Sequence, residues 1–276
     1  MYCLDVLECF LNVFESSMIF VFMNFVIYSK TQVMKKSFIF IYGIVAYCIF
    51  LVAFLYAIGF VGNFFVPKTI DSGVEPTLLK AILTNTILLS VFALQHSIMA
   101  RPKFKEWFTS IFSHAMERST YILLSSLALL LIYWQWQPIT TIVWKVENNI
   151  FSIILTGIFF TGWLIVLLST FMINHFELFG LVQIFDNLKN KTTPNPKFQT
   201  NYLYKLVRHP IMLGFLIAFW ATPTMTVGHL FFTLVTTIYI FVAVKYLEEK
   251  DLRKSIGKAY ETYQNEVPML IPFTKK

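Results

Sequence analysis

The sequence predicts an all-α fold: a polytopic membrane helical bundle of about five to seven membrane helices, closed by a short C-terminal helical hairpin over residues 210–244 and a cytosolic C-terminal tail. Three observations carry that expectation. Of 276 residues, 57% are hydrophobic and only 13% are charged, against about 25% charged in soluble domains. Several uncharged runs reach the roughly 20 residues that a helix rising about 1.5 Å per residue needs to cross about 30 Å of hydrocarbon. The formal charge of +7 lies in short basic patches between apolar runs, which is the pattern of positive-inside bias and not of a nucleic-acid face.

Taken in order, residues 1–33 come first. Leu4, Leu7, Leu11, Phe14 and Met18 recur at helical spacing with Asp5, Glu8, Asn12 and Glu15 between them, and residues 17–28 are almost wholly apolar. This predicts an amphipathic or apolar helix, either interfacial or a marginal extra span. Its acidic start excludes a secretory signal peptide. Spans are expected at 37–61, 78–99, 120 to about 143 and 151–173. Lys35 and Lys36 precede the first; Arg101, Lys103, Lys105 and Arg118 follow the second; Lys189, Lys191, Lys197, Lys205 and Arg208 follow the fourth. The alternate loops offset Lys68 with Asp71 and Glu75, and Lys145 with Glu147, so the basic loops are expected to face the cytosol.

Residues 210–244 are too long for one span and short for two. Ala221-Thr222-Pro223-Thr224 reads as a breaker, so two abbreviated helices should return the chain to its starting side. Lipid cannot satisfy their free backbone groups, which predicts a cavity at or beneath the Pro223 turn. The polar loop 176–203 is expected to cap the cytosolic opening, and the tail after Leu252 to fold back over it. Trp134, Trp136 and Trp144 read as an outer aromatic belt. Cys3, Cys9 and Cys48 lack ligand spacing, so neither a disulfide nor a metal site is expected.

Chemistry-bearing side chains gather at the cytosolic ends. Pro210 suits the first helical position, and the N–H groups of that turn beside Arg208 attract an anion. A helix N-terminus lowers the proton affinity of His209, which predicts a neutral imidazole. Glu248 and Glu249 stand where the hairpin returns; at a helix C-terminus they oppose its dipole, which points to another use. Gly214 serves close helix packing or close approach of a ligand. Gln95-His96 and Asn174-His175 end two spans on the same side and are candidates for one pocket. Trp220 is read as a wall of an apolar pocket, while Asn85 and His229 are weaker polar positions.

Arg208-His209-Pro210, Gly214, Glu248-Glu249, Leu252, Gly257, Tyr260, Tyr263 and Val267-Pro268 resemble the C-terminal cofactor-binding block of the isoprenylcysteine carboxyl methyltransferase superfamily of membrane enzymes, here residues 203–273. Gln95-His96-Ser97, Ala100-Arg101-Pro102, Glu117-Arg118-Ser119-Thr120-Tyr121, Trp134-Gln135-Trp136 and Ile173-Asn174-His175-Phe176 look like its nurim-type branch. The likeness runs from Met34 to the end, which makes residues 1–33 an N-terminal extension, with Met34 as an alternative start, and 34–276 the methyltransferase domain. The resemblance implies S-adenosyl-L-methionine as cofactor, held by Tyr204, Arg208, His209, Pro210, Gly214, Glu248, Glu249, Tyr260 and Tyr263. It implies an acceptor pocket of Gln95, His96, Asn174, His175 and Trp220, with His96, His175 or His209 as catalytic base. The implied acceptor is methanethiol, a small volatile thiol, and the product dimethyl sulfide, in a multi-pass protein of a bacterial inner membrane with its cofactor site and C-terminus in the cytoplasm. Two alternatives stay open: methylation of a prenylcysteine carboxyl or another small lipophilic acceptor, and a non-catalytic nurim-like scaffold. A transporter would show internal repeats or charges at mid-span, and the sequence has neither.

Overall fold

The computed structural model describes residues 2–194 and 198–274, with side chains from Gln32 onward; the expected character of residues 1–33 falls almost wholly outside the described side chains. Helix α1 (Tyr2–Gly62) contains the first span, Gln32–Gly62. It is followed by α2 (Leu78–Met99), the short α3 (Pro102–Ile111) and α4 (His114–Gln135). Strand β1 (Ile142–Lys145) leads to α5 (Asn149–Ile173), then to the short α6 (His175–Leu178) and α7 (Leu181–Leu188). Beyond a 3-10 turn at Tyr202–Lys205 lie α8 (Pro210–Trp220), β2 (Thr224–Thr226) and α9 (Val227–Val242). A π-helical turn, Ala243–Glu248, joins α9 to α10 (Glu249–Ile256), and α11 (Lys258–Glu266) ends the helical chain.

Local chemistry explains the boundaries. Ser113 and Asn148 accept hydrogen bonds from the first-turn N–H groups of α4 and α5, the usual task of an N-cap. Pro210 opens α8 as expected. The third span stops at Gln135, earlier than its hydropathy suggests, because Pro138 follows and Thr141–Trp144 is β-branched and aromatic, a composition suited to a strand.

Among the described residues, five helices are long and apolar enough to cross a membrane, and α8 is a shorter apolar helix beside them; the protein is a multi-pass helical bundle. The hairpin differs from expectation in its second limb. The first is short, but α9, the π turn and α10 run on as one 30-residue helix, Val227–Ile256. Glu248 and Glu249 therefore sit inside a continuous helix and not at its C-terminus, which removes the dipole objection raised against them.

The backbone groups at the Pro223 turn are answered by β1 and the residues flanking it. β1 and β2 pair antiparallel with Ile142 opposite Thr226 and Lys145 opposite Thr224. Val146 N donates to Pro223 O at 2.9 Å, Val227 N to Thr141 O at 2.8 Å and Gly228 N to Ile139 O at 2.9 Å. Asn85 closes the same end: its side chain pairs with the backbone of Gln137 in both directions, at 2.8 and 2.9 Å. Beneath lies an aromatic core of Phe60, Tyr133, Trp136, Phe159, Trp163, Phe219 and Phe232. Trp136 belongs to that core and not to the aromatic belt, since it is 0% exposed and packs edge-on to Phe60 and Phe232. Trp134 is exposed.

Helix α8 lies directly against α5 through glycine. A Cβ at Gly214 would stand 2.7 Å from Gly162 O and 2.8 Å from Val166, and one at Gly162 would stand 2.6 Å from Ala218 N. Gly214-xxx-Ala218 facing Gly162 is the small-residue contact that lets membrane helices approach closely. Gly214 thus serves packing, because its open face is filled by α5. Gly214→Val is expected to destabilise the bundle by about 1–3 kcal/mol, read as a lower melting temperature in detergent; an unchanged melting temperature would set this contact aside.

Candidate active site

The junction between the entry to α8 and the start of α10 gathers most of the sequence-predicted residues. Arg208 is buried, and Glu249 Oε1 lies 2.7 Å from its Nε and 2.6 Å from its Nη2. Its Nη1 donates to the backbone oxygens of Gln264, at 3.1 Å, and Val267. Gln264 Nε2 donates to the other oxygen of Glu249 at 3.0 Å. All three guanidinium nitrogens are thereby engaged by protein, and Glu249, with 6% of its side chain exposed, is satisfied on both oxygens. The backbone completes the clasp: Arg208 N donates to Pro268 O at 2.9 Å and His209 N to Met269 O at 3.2 Å. The tail thus folds back as expected, anchored below by Leu270, which packs with Ile240 and Val244.

His209 bridges both glutamates. Its Nε2 lies 3.2 Å from Glu249 Oε1 and its Nδ1 lies 3.5 Å from Glu248 Oε1. Burial lowers its proton affinity, but the hydrogen bonds and charges of Glu248 and Glu249 outweigh burial and raise its pKa to about 9. The neutral imidazole expected from the helix N-terminus is corrected to a cation, because two carboxylates within 3.5 Å act more strongly than a partial helix charge. Neighbouring residues on a uniform α-helix project about 100° apart; the wider π turn ends at Glu248, and both carboxylates reach the same imidazole.

Glu248 differs from Glu249. It keeps 45% of its side chain accessible, yet His209, His96, Tyr204, Tyr121 and Tyr239 all stand within range of its charge. A carboxylate so surrounded and still accessible marks a candidate recess. Tyr260 contributes a second open group: it is 2% exposed and, among the described residues, its hydroxyl has no partner. Tyr263 donates to Tyr204 O, and Phe198 packs edge-on to both tyrosines of the tail.

His96 faces this recess from α2. Its ring stacks on Phe92 at 5.2 Å, Tyr121 Oη lies 2.8 Å from Nε2, and Ser125 Oγ lies 3.2 Å from Nδ1. Gln95 is one residue away; among the described residues its buried Oε1 has no partner, while Nε2 reaches Met99 Sδ at 3.1 Å. Arg101, paired with Asp251 at 2.9 Å, ties the end of α2 to α10.

The other candidates lie elsewhere. His175 is buried between Tyr47, 2.8 Å from Nε2, and Thr170, 2.8 Å from Nδ1, and stacks on Phe171 at 4.3 Å. Both ring nitrogens are occupied and none of its contacts is with the Arg208 group, so it does not share a pocket with His96. Asn174 is exposed, takes a positive φ of 112° and caps α6 through Glu177 N. Trp220 ends α8 opposite His209, is 38% exposed and donates to Thr237 Oγ1 at 3.1 Å, at the far end of α8 from the Arg208 group. Sequence reading missed Ser125, Tyr239 and Gln264 and left Tyr121 without a role. The signal for two of them was a polar stripe, Arg118, Tyr121 and Ser125, at helical spacing on an otherwise apolar α4.

The family model described as NnrU protein matches residues 85–265. Methanethiol S-methyltransferase 1 of Bradyrhizobium diazoefficiens is 52% identical over 240 residues, covering 87% of this chain and 84% of the relative. Methanethiol S-methyltransferase of Crocosphaera subtropica is 50% identical over 243 residues, covering 88% and 95%. The chain belongs to the NnrU family, in its methanethiol S-methyltransferase branch. Nurim of Mus musculus is a more distant relative of this NnrU protein, 27% identical over 189 residues that cover 65% of the chain and 71% of nurim. No solved structure matches it.

Two outcomes test the junction. Breaking a buried ion pair from one side costs about 3–5 kcal/mol, so Arg208→Ala should lower stability and expose the stretch from Gln264 to Phe273 to hydrogen exchange; protection equal to wild type would contradict the clasp. The pKa of His209 rises from about 6.5 unfolded to about 9 folded. Its protonation therefore stabilises the fold fully below about pH 6.5 and is lost as pH rises through about 9. Melting temperature should fall across that window, and His209→Gln should flatten the fall; the same slope in the variant would refute it.

Proposed function

We propose that the protein is a methyltransferase that takes a methyl group from S-adenosyl-L-methionine and gives it to methanethiol, forming dimethyl sulfide. The observation that carries this reading is identity of about one half, over more than four fifths of the chain, to proteins named methanethiol S-methyltransferases. The recess suits such a donor. Glu248 offers an accessible carboxylate to positive charge, and the unpartnered buried hydroxyl of Tyr260 offers a hydrogen bond to a sugar or an amino acid group. When bound, the cofactor supplies an electrophilic methyl group on a positively charged sulfur, open to in-line attack.

Within this reading Glu248 contacts the donor directly, with Tyr260 and Tyr204 around it. Arg208, Glu249 and His209 act one layer out, holding the tail over the recess and Glu248 in place. His96, across Glu248, takes the thiol proton; an alkyl thiol is less acidic than cysteine, which titrates near about 8.5, so a base is required. Phe92 stacks on the His96 ring and presents an apolar face on that side. Charged groups of the recess cluster at the end carrying Arg101, Lys105 and Arg118, and by the positive-inside rule we assign that end to the cytoplasm and the protein to a bacterial inner membrane. A small apolar thiol then arrives through lipid and the polar donor from the cytoplasm.

Purified full-length protein in detergent, given the donor and methanethiol, should release dimethyl sulfide into the headspace with an equal yield of S-adenosylhomocysteine. Donor binding without dimethyl sulfide would move the acceptor to another lipophilic thiol or carboxyl. His96→Ala should lower kcat by about 10²–10⁴ with donor affinity kept; unchanged turnover would remove His96 from the chemistry.

A further inference from the structure

We infer that Tyr121 is a second catalytic residue, standing between the acceptor thiol and His96 as a proton relay. The inference rests on the methyl-transfer reading above and deepens it.

The geometry of His96 leaves little room for direct contact with an acceptor. Its Nε2 is 2.8 Å from Tyr121 Oη, and its Nδ1 is 3.1 Å from the same oxygen and 3.2 Å from Ser125 Oγ. Tyr121 and Ser125 stand one turn apart on α4 and face the same imidazole, whose ring is flanked by Phe92 at 5.2 Å. Both nitrogens are thus turned toward α4. The tyrosine hydroxyl, by contrast, has one hydrogen to donate to His96 and lone pairs left to accept from something else.

The charged groups around the pair come from three directions. Glu248, from the π turn, acts on both His96 and Tyr121; Arg101, beyond α2, acts on both; Arg118 and Tyr239 act on Tyr121. Arg101 is paired with Asp251 at 2.9 Å. A free tyrosine hydroxyl titrates near about 10 and is not lost alone at neutral pH, so Tyr121 loses and gains its proton together.

The step balances as follows. The S–H bond of the thiol breaks and its proton passes to Tyr121 Oη, while the proton of Oη passes to His96 Nε2. The sulfur keeps the electron pair of its S–H bond and uses it to form the new bond to the methyl carbon; the donor sulfur takes the pair of the bond that breaks. Tyr121 ends unchanged, His96 ends protonated beside Glu248, and solvent later takes that proton.

The test uses full-length Tyr121→Phe in detergent, with S-adenosyl-L-methionine binding measured by calorimetry and dimethyl sulfide formation followed from about pH 6.5 to 10 at saturating donor. Loss of the relay should lower turnover at pH 7 by about 100-fold or more with donor affinity unchanged. The deficit should shrink by about tenfold per pH unit, as thiolate formed in solution replaces thiolate formed on the enzyme. A deficit constant at every pH marks a merely structural hydroxyl and overturns the inference, as does full activity. If Tyr121→Phe does not bind the donor, its hydroxyl belongs to the donor site and the relay is overturned. Wild-type protein that binds the donor but never methylates methanethiol overturns the functional reading itself, and the relay with it.

Discussion

The buried contact of Arg208 with Glu249 is the constraint on which the rest depends. Two charges taken out of water are tolerated only when each remaining donor and acceptor finds a partner. Here the partners are supplied by His209, Gln264 and the carbonyls of Gln264 and Val267. Those groups belong to the entry of α8, the start of α10 and the tail. One ion pair therefore fixes the mutual position of three segments far apart in the chain, and the recess at Glu248 is what their arrangement encloses.

A division of labour between adjacent carboxylates follows. Glu249 is used up in holding the structure together, and Glu248 is left partly open beside a cationic imidazole, two tyrosines of the neighbouring segments and His96. The π turn that ends at Glu248 adds a residue to the helical circuit, which is a common device where a helix must aim side chains at a site. At the other end of the bundle β1 and β2 answer the backbone groups left by the Pro223 turn, so the short α8 is tolerated inside an apolar surround. The two ends serve one purpose: a reach of helix too short to span the bilayer alone is pinned above by strand pairing and below by charge.

Much of this was legible from residue order. The spans follow from uninterrupted apolar runs, and the start of α8 from Pro210, whose backbone admits little else. The meeting of Arg208-His209 with Glu248-Glu249 was legible because a breaker at Pro223 sends the chain back to its starting side. What was not legible depended on pairing between distant segments. β1 and β2 are three or four residues each and gain meaning only opposite one another. The charge on His209 depended on how near the two carboxylates came, which no local rule sets. Trp136 looked like an interfacial tryptophan beside Trp134, yet residues two apart on a helix point about 200° from one another, and only one of the two lies outward. Gly214 had two readings, and the space beside it is taken by Gly162.

The most direct measurement of the central claim compares Glu248→Gln with Glu249→Gln, reading S-adenosyl-L-methionine affinity and melting temperature for each in detergent. The account predicts that Glu248→Gln weakens donor binding and lowers the melting temperature less than Glu249→Gln does. Donor affinity intact in Glu248→Gln, or a Glu249→Gln protein as stable as wild type, would contradict it.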